Sequence, residues 1–238
     1  MYSILKILFG FLLFSITIQA QEEGRKLRFG GGGTFNIGFQ TMDIAPLSSI
    51  IESYGYDVLS DGNLTIGGGG QFYLNRWVVG MSGGYVGQGE VTNTTHQLSF
   101  GGGYGLLSLG YDVLGKKQFA LYPSAGFGFS GSGLSIVPRY PGASFTDVLQ
   151  EPEVYTEERV SIGAFTPMYQ LALNGDWFVT GGEDAAYGFL LGLTAGYRIA
   201  PAANYSNVGG TELDTGPDFN TSGFFLTLRL GGGYRPRP

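Results

Sequence analysis

From residue 27 onward, apolar and polar side chains alternate with a period of two through a series of segments separated by polar stretches. A period of two sends successive side chains to opposite faces, so each segment is predicted to be a strand with one apolar and one polar face. Segment 27–40 sets Leu27, Phe29, Phe35, Ile37 and Phe39 against Arg28, Thr34, Asn36 and Gln40. Segment 63–74 sets Leu64, Ile66, Phe72 and Leu74 against Asn63, Thr65, Gln71 and Tyr73, and segment 77–88 sets Trp77, Val79, Met81 and Tyr85 against Ser82 and Gln88. In 97–111 the apolar set is Leu98, Phe100, Tyr104 and Leu106, with a phase slip expected near Leu107, the signature of a bulge. Segment 118–130 opposes Phe119, Leu121, Ala125, Phe127 and Phe129 to Tyr122, Ser124 and Ser130. Around 165–179, Phe165, Tyr169, Leu171 and Leu173 share a parity, as do Trp177 and Val179. Segments 187–199 and 222–234 close the series, the last with Phe224, Leu226, Leu228, Leu230 and Tyr234 against Thr227 and Arg229. Each of the eight is long enough for a tilted bilayer crossing of roughly 9–11 residues.

Alternation alone does not separate a soluble sandwich from a membrane barrel; the placement of charge does. All 19 carboxylates fall outside the strand cores so drawn, and the strand arginines Arg28, Arg198 and Arg229 take the polar face with Gln71. The apolar face is left without charge, and its aromatics gather at segment ends, where the two water–lipid boundaries favour them. A soluble barrel carries its charge outside instead. The fold expected is therefore all-β: an eight-stranded antiparallel transmembrane up-and-down barrel with long outer loops. The connections at 41–62, 131–164 and 200–221 are long, whereas Asn75-Arg76, 112–117 and 181–186 are short. Short turns on one rim and long loops on the other imply periplasmic turns and periplasmic termini.

Met1 to Ala20 adds an address. Lys6 precedes a 12-residue apolar run, Ile7–Ile18, with Gln19-Ala20 before an expected cut. As a helix that run reaches only ~18 Å, short of a ~30 Å hydrocarbon core. Residues 1–20 are read as a signal peptide and 21–238 as one barrel domain. The 43 glycines follow no collagen period, and no Lys-Ser/Thr follows their runs, so a phosphate loop is not indicated; in a curved sheet Gly relieves crowding. A net charge of −6 argues against a nucleic-acid partner, and zero Cys excludes disulfides and thiolate chemistry.

The signal, the eight alternating segments and the closing strand Gly223–Tyr234, with its terminal aromatic at Tyr234 and Leu230, Leu228, Leu226 and Phe224 alternating before it, resemble the small eight-stranded outer-membrane barrels, the group of the OmpA transmembrane domain and the OmpX- and OmpW-like proteins. The Gly-rich strands and acidic loops are similar in style to barrels of the Bacteroidota. The resemblance implies outer-membrane lipid as surroundings and the barrel-assembly machinery, which reads such a closing strand, as a partner during insertion. Arg235-Pro236-Arg237-Pro238 after the aromatic departs from that pattern.

Candidate chemistry is sparse. The single histidine, His96, and Ser99 are an odd number of residues apart and so point to opposite faces of a regular strand, which argues against a catalytic pair. Glu151, Glu153, Glu157 and Glu158, and then Glu212, Asp214 and Asp218, make two acidic loop clusters without the spacing of a calcium loop, and no metal or cofactor is expected. Arg28, Arg198, Arg229 and Gln71 are expected in the lumen, as a plug or as an anion path; eight strands leave just enough room for side chains. In the first long loop Leu47, Ile50, Ile51 and Tyr54 recur at helical spacing between Pro46 and Gly55. They predict a short amphipathic helix, either a lid packed on loop three (Leu134, Ile136, Val137, Phe145, Val148, Leu149) or a docking face for another outer-membrane or surface protein. The function expected is non-enzymatic: structural support, surface interaction or membership of a larger envelope complex. Transport of small solutes or apolar molecules stands second and a lipid-modifying enzyme third.

Overall fold

The computed structural model describes residues 28–140, 149–150, 159–181, 185–201, 205–207 and 221–236. The expected signal peptide, both acidic loop clusters, and Phe145 and Val148 lie outside these. The strands are β1 (Phe29–Thr41), β2 (Gly62–Leu74), β3 (Trp77–Thr92), β4 (His96–Tyr111), β5 (Phe119–Pro138), β6 (Val160–Gly181), β7 (Ala185–Ile199), β8 (Tyr205–Asn207) and β9 (Gly223–Pro236), and helix α1 spans Ala45–Ser53. Seven consecutive strands, β1 to β7, pair antiparallel with their chain neighbours; β9 then joins β7 to β1 and closes the sheet into an eight-stranded barrel. Among the described residues the short β8 pairs with β6 at Ile162–Ala164.

The outer wall is apolar. Phe35, Ile37, Leu64, Ile66, Met81, Leu107, Leu109, Phe127, Leu171, Leu193, Leu226 and Leu228 all stand outward, exposed. Aromatics mark the rim that carries the short turns: Trp77 is in register with Tyr111, Phe119 with Trp177, and Tyr187 with Tyr234. The first of these pairs meets edge to face at 5.2 Å, with the Arg76 guanidinium 5.1 Å from the Tyr111 ring. At the opposite rim Tyr197 meets Phe224 at 4.8 Å. A closed barrel satisfies every interior strand hydrogen bond, which is the condition for crossing a bilayer with strands. The chain is a transmembrane barrel of this kind. β1 begins and β9 ends at the short-turn rim, as an even strand number requires.

Three details differ from the alternation read along the sequence. First, β4 runs without a phase slip against β5, and Leu98, Phe100 and Leu106 face the lumen; Leu98 is only 2% exposed. The apolar parity changes sides because the upper lumen is itself apolar, filled by α1, so an inward leucine there has hydrocarbon to meet. The irregularity lies on β3 instead, between Gly87 and Glu90. Second, β5 and β6 are 20 and 22 residues long against 13 for β1 and β2. Much of the expected third loop is thus a hairpin projecting past the rim, and Leu134 and Ile136 belong to β5. Third, not every carboxylate lies outside the strands: Asp176 lies inside β6 and Glu90 inside β3.

Glycine lets strands approach where the wall curves. At the seam between β1 and β9, a Cβ on Gly231 would lie 2.0 Å from the Gly33 carbonyl oxygen. No other residue fits that contact.

Candidate functional site

The candidate site is the lumen together with its mouth, built from inward positions of all eight barrel strands. At the short-turn end, Asp112 follows β4 and is fully buried. Its carboxylate accepts from the backbone N–H of Leu114 (3.2 Å), Gly115 (3.1 Å) and Leu121 (3.2 Å), and pairs with the Arg235 guanidinium, itself only 1% exposed. Arg235 belongs to the segment that departs from the usual closing strand. It continues β9 inward beneath the Tyr73 ring, 5.3 Å from the guanidinium, and stoppers this end.

Above it stands a charge-centred cluster. Asp176, at 0% exposure, meets Arg229 Nη2 at 2.5 Å through Oδ1. Its Oδ2 accepts from the Tyr73 hydroxyl (2.9 Å), the Tyr122 hydroxyl (2.9 Å) and Gln71 Nε2 (3.0 Å). Arg229 Nη1 also donates to Gln71 Oε1 at 3.0 Å. Four strands converge here: β2 supplies Gln71 and Tyr73, β5 Tyr122, β6 Asp176 and β9 Arg229. Tyr73, Val78, Ala120, Phe178, Ala186 and Leu190 pack round this end as a dry collar.

Next comes a polar chamber of about 50 Å³, ringed by Thr34, Asn36, Ser82, Ser108, Asn174, Thr194 and Thr227. At about 10–15 Å³ for each water, the chamber has room for a few water-sized species. Arg198 roofs the chamber at 3% exposure. Its Nε donates to Gln170 Oε1 at 3.1 Å and its Nη1 to Gln40 Oε1, with its guanidinium carbon 3.9 Å from the Tyr104 ring centre and 4.4 Å from that of Phe225.

The mouth is closed by α1. Pro46 sits in its first turn, and Gly55 ends it at φ 78°, a left-handed stop natural to glycine. Leu47 and Ile51 point down into a cluster with Met42, Ile44, Leu59, Val86, Val91, Leu98 and Phe100, and Leu134 and Ile136 of β5 pack against it. Ile50 and Tyr54 turn the other way and are exposed, with Val58 exposed nearby. The four apolar helix positions therefore split into an inward and an outward pair.

Of the residues expected in the lumen, Gln71, Arg198 and Arg229 lie there. Arg28 does not: it precedes β1 at the short-turn rim and is exposed, its backbone joined to the β2–β3 turn at Asn75. A strand-end side chain has water within reach and no reason to enter a lumen already stoppered by Arg235. His96 opens β4 at the opposite rim, its Nδ1 2.8 Å from Thr95 Oγ1. Asp176 and Asp112 were missed. The signal for Asp176 was its parity, shared with Gln170 and Asn174 and opposite to Trp177 and Val179.

No family model and no curated protein matches the chain. Among solved structures it is similar to Ail, the attachment invasion locus protein of Yersinia pestis, at 13% identity and TM-score 0.40, over 87% of this chain and 97% of that one. Neisserial surface protein A is similar at 9% identity and TM-score 0.39, over 90% and 100%. The outer membrane protein OprG of Pseudomonas aeruginosa is similar at 12% and 0.40, over 86% and 94%.

Proposed function

We propose that this chain is a non-enzymatic integral outer-membrane protein, its barrel termini facing the periplasm, that presents an apolar contact element at the outer rim to another envelope or surface protein. The observation that carries this reading is the split of α1. Leu47 and Ile51 anchor the helix in the barrel mouth while Ile50, Tyr54 and Val58 are exposed. Apolar side chains grouped on an outer surface facing water are a recognised mark of a contact site. The layers below argue against passage of solute, since Arg235, the Asp176 cluster, Arg198 and α1 each occupy the bore.

The test pairs two substitutions. Ile50→Asp leaves the barrel folded and protease-resistant but releases a protein that co-purifies from gently solubilised membranes. Ile51→Asp, on the buried face, opens the mouth to protease. In planar bilayers the purified chain carries no steady unitary current. Stable large currents abolished by altering Arg198 establish transport instead, and unchanged co-purification by Ile50→Asp withdraws the contact element.

A further inference from the structure

The polar chamber holds an imbalance of charge. Two guanidiniums line it, Arg198 above and Arg229 below. Among the described residues the one carboxylate paired with either is Asp176, and that group is already saturated by Arg229, Tyr73, Tyr122 and Gln71. Arg198 has neutral partners: the amide oxygens of Gln40 and Gln170 and the faces of Tyr104 and Phe225. Arg229 Nε, buried, meets no acceptor. Hydroxyls of Thr34, Ser108 and Thr227 line the chamber wall, each able to turn its proton toward a negative guest, while that of Thr194 donates to Asn174 Oδ1. A buried charge is held at low cost only when paired, and here the wall is surrounded by hydrocarbon rather than water. One positive charge in excess selects a monovalent guest; a divalent anion would reverse the imbalance.

We propose that the chamber between Arg198 and Arg229 binds a small monovalent anion of the halide class as a resident counter-ion. This does not depend on the contact role of α1. The test follows urea unfolding of the refolded chain in micelles, by the fluorescence of Trp77 and Trp177, at fixed sodium concentration. The midpoint is higher in chloride or bromide than in gluconate and rises with the logarithm of halide concentration, as linkage requires. Arg198→Gln flattens that dependence and Arg198→Lys retains it; the glutamine variant also sets the response to salt in general. If Arg198→Gln does not fold, crystals of the unaltered chain grown in bromide supply the second measurement: an anomalous peak between the two guanidiniums. Equal midpoints in chloride and gluconate, a slope unchanged in Arg198→Gln, or a chamber without the bromide peak each overturn the proposal. Equal midpoints assign the counter-charge to an acidic side chain of the outer loops.

Discussion

Removing the charge of Asp176 tests whether the lower lumen is held by electrostatics or merely filled. Asp176→Asn keeps the shape and leaves an oxygen for one or two of the three neutral donors. It strands Arg229, whose carboxylate partner sits at 2.5 Å on a fully buried side chain. Breaking a buried pair from one side costs about 3–5 kcal/mol, because the remaining charge has been stripped of water and partner together. Weakened bonds from Tyr73, Tyr122 and Gln71 add about 0.5–1.5 kcal/mol for each that is lost. Combining Asp176→Asn with Arg229→Met removes both charges, and the larger of these costs disappears. The double variant should therefore be more stable than Asp176→Asn alone, a coupling of about 2 kcal/mol or more in a double-mutant cycle. Urea unfolding in micelles measures it, in gluconate so that halide does not screen the stranded guanidinium. Two results refute the reasoning. One is Asp176→Asn lying within about 1 kcal/mol of the unaltered chain, the worth of an exposed pair. The other is a double variant as unstable as the single one.

Adjacent leucines on β4 give a second test: Leu106 is buried against Met168 and Ala200, so Leu106→Ala should cost about 2–5 kcal/mol. Leu107 faces lipid at 62% exposure, and Leu107→Arg should cost about 2–4 kcal/mol in urea unfolding, with Leu107→Ala costing far less than Leu106→Ala. Gly231→Ala should fail to close the seam, read as loss of the heat-modifiable band on unheated gels, whereas Gly105→Ala, whose Cβ meets nothing within 4 Å, should insert normally.

The barrel was legible because lipid outside and side chains inside impose one parity on most of each strand. Phe35, Ile66, Phe127 and Leu228 follow it outward, and Asn36, Gln71 and Arg229 inward. It failed where the inside is not polar. Leu98 reads as lipid-facing because apolarity alone does not tell hydrocarbon from a leucine-rich plug; only the position of α1 does. The candidate site was half legible for a related reason. A lone arginine on a polar face declares itself, but its partner sits on a strand distant in sequence, and Asp176 next to Trp177 looks like the end of a strand. Arg28 misled for the converse reason, since parity says which face a residue takes and not whether the strand still encloses a lumen at that height.

The same lumen bears on how the barrel is made. Gln71, Tyr122 and Asp176 all sit on strands that precede β9, yet the guanidinium that satisfies them arrives with it, 158 residues after Gln71. Asp112 likewise waits 123 residues for Arg235. Contacts this distant in sequence form late, since the loop they close must first be gathered. Until the final strand docks, two carboxylates are buried or partly buried with no counter-charge from β9, and the sheet has two open edges. The last strand thus zips the seam with β1 and brings both buried carboxylates their guanidinium partners in one event, so an unfinished barrel is marked electrostatically as well as by its edges. A chain cut before residue 229 should stay reversible and protease-sensitive at the insertion stage, whatever its first seven strands have built.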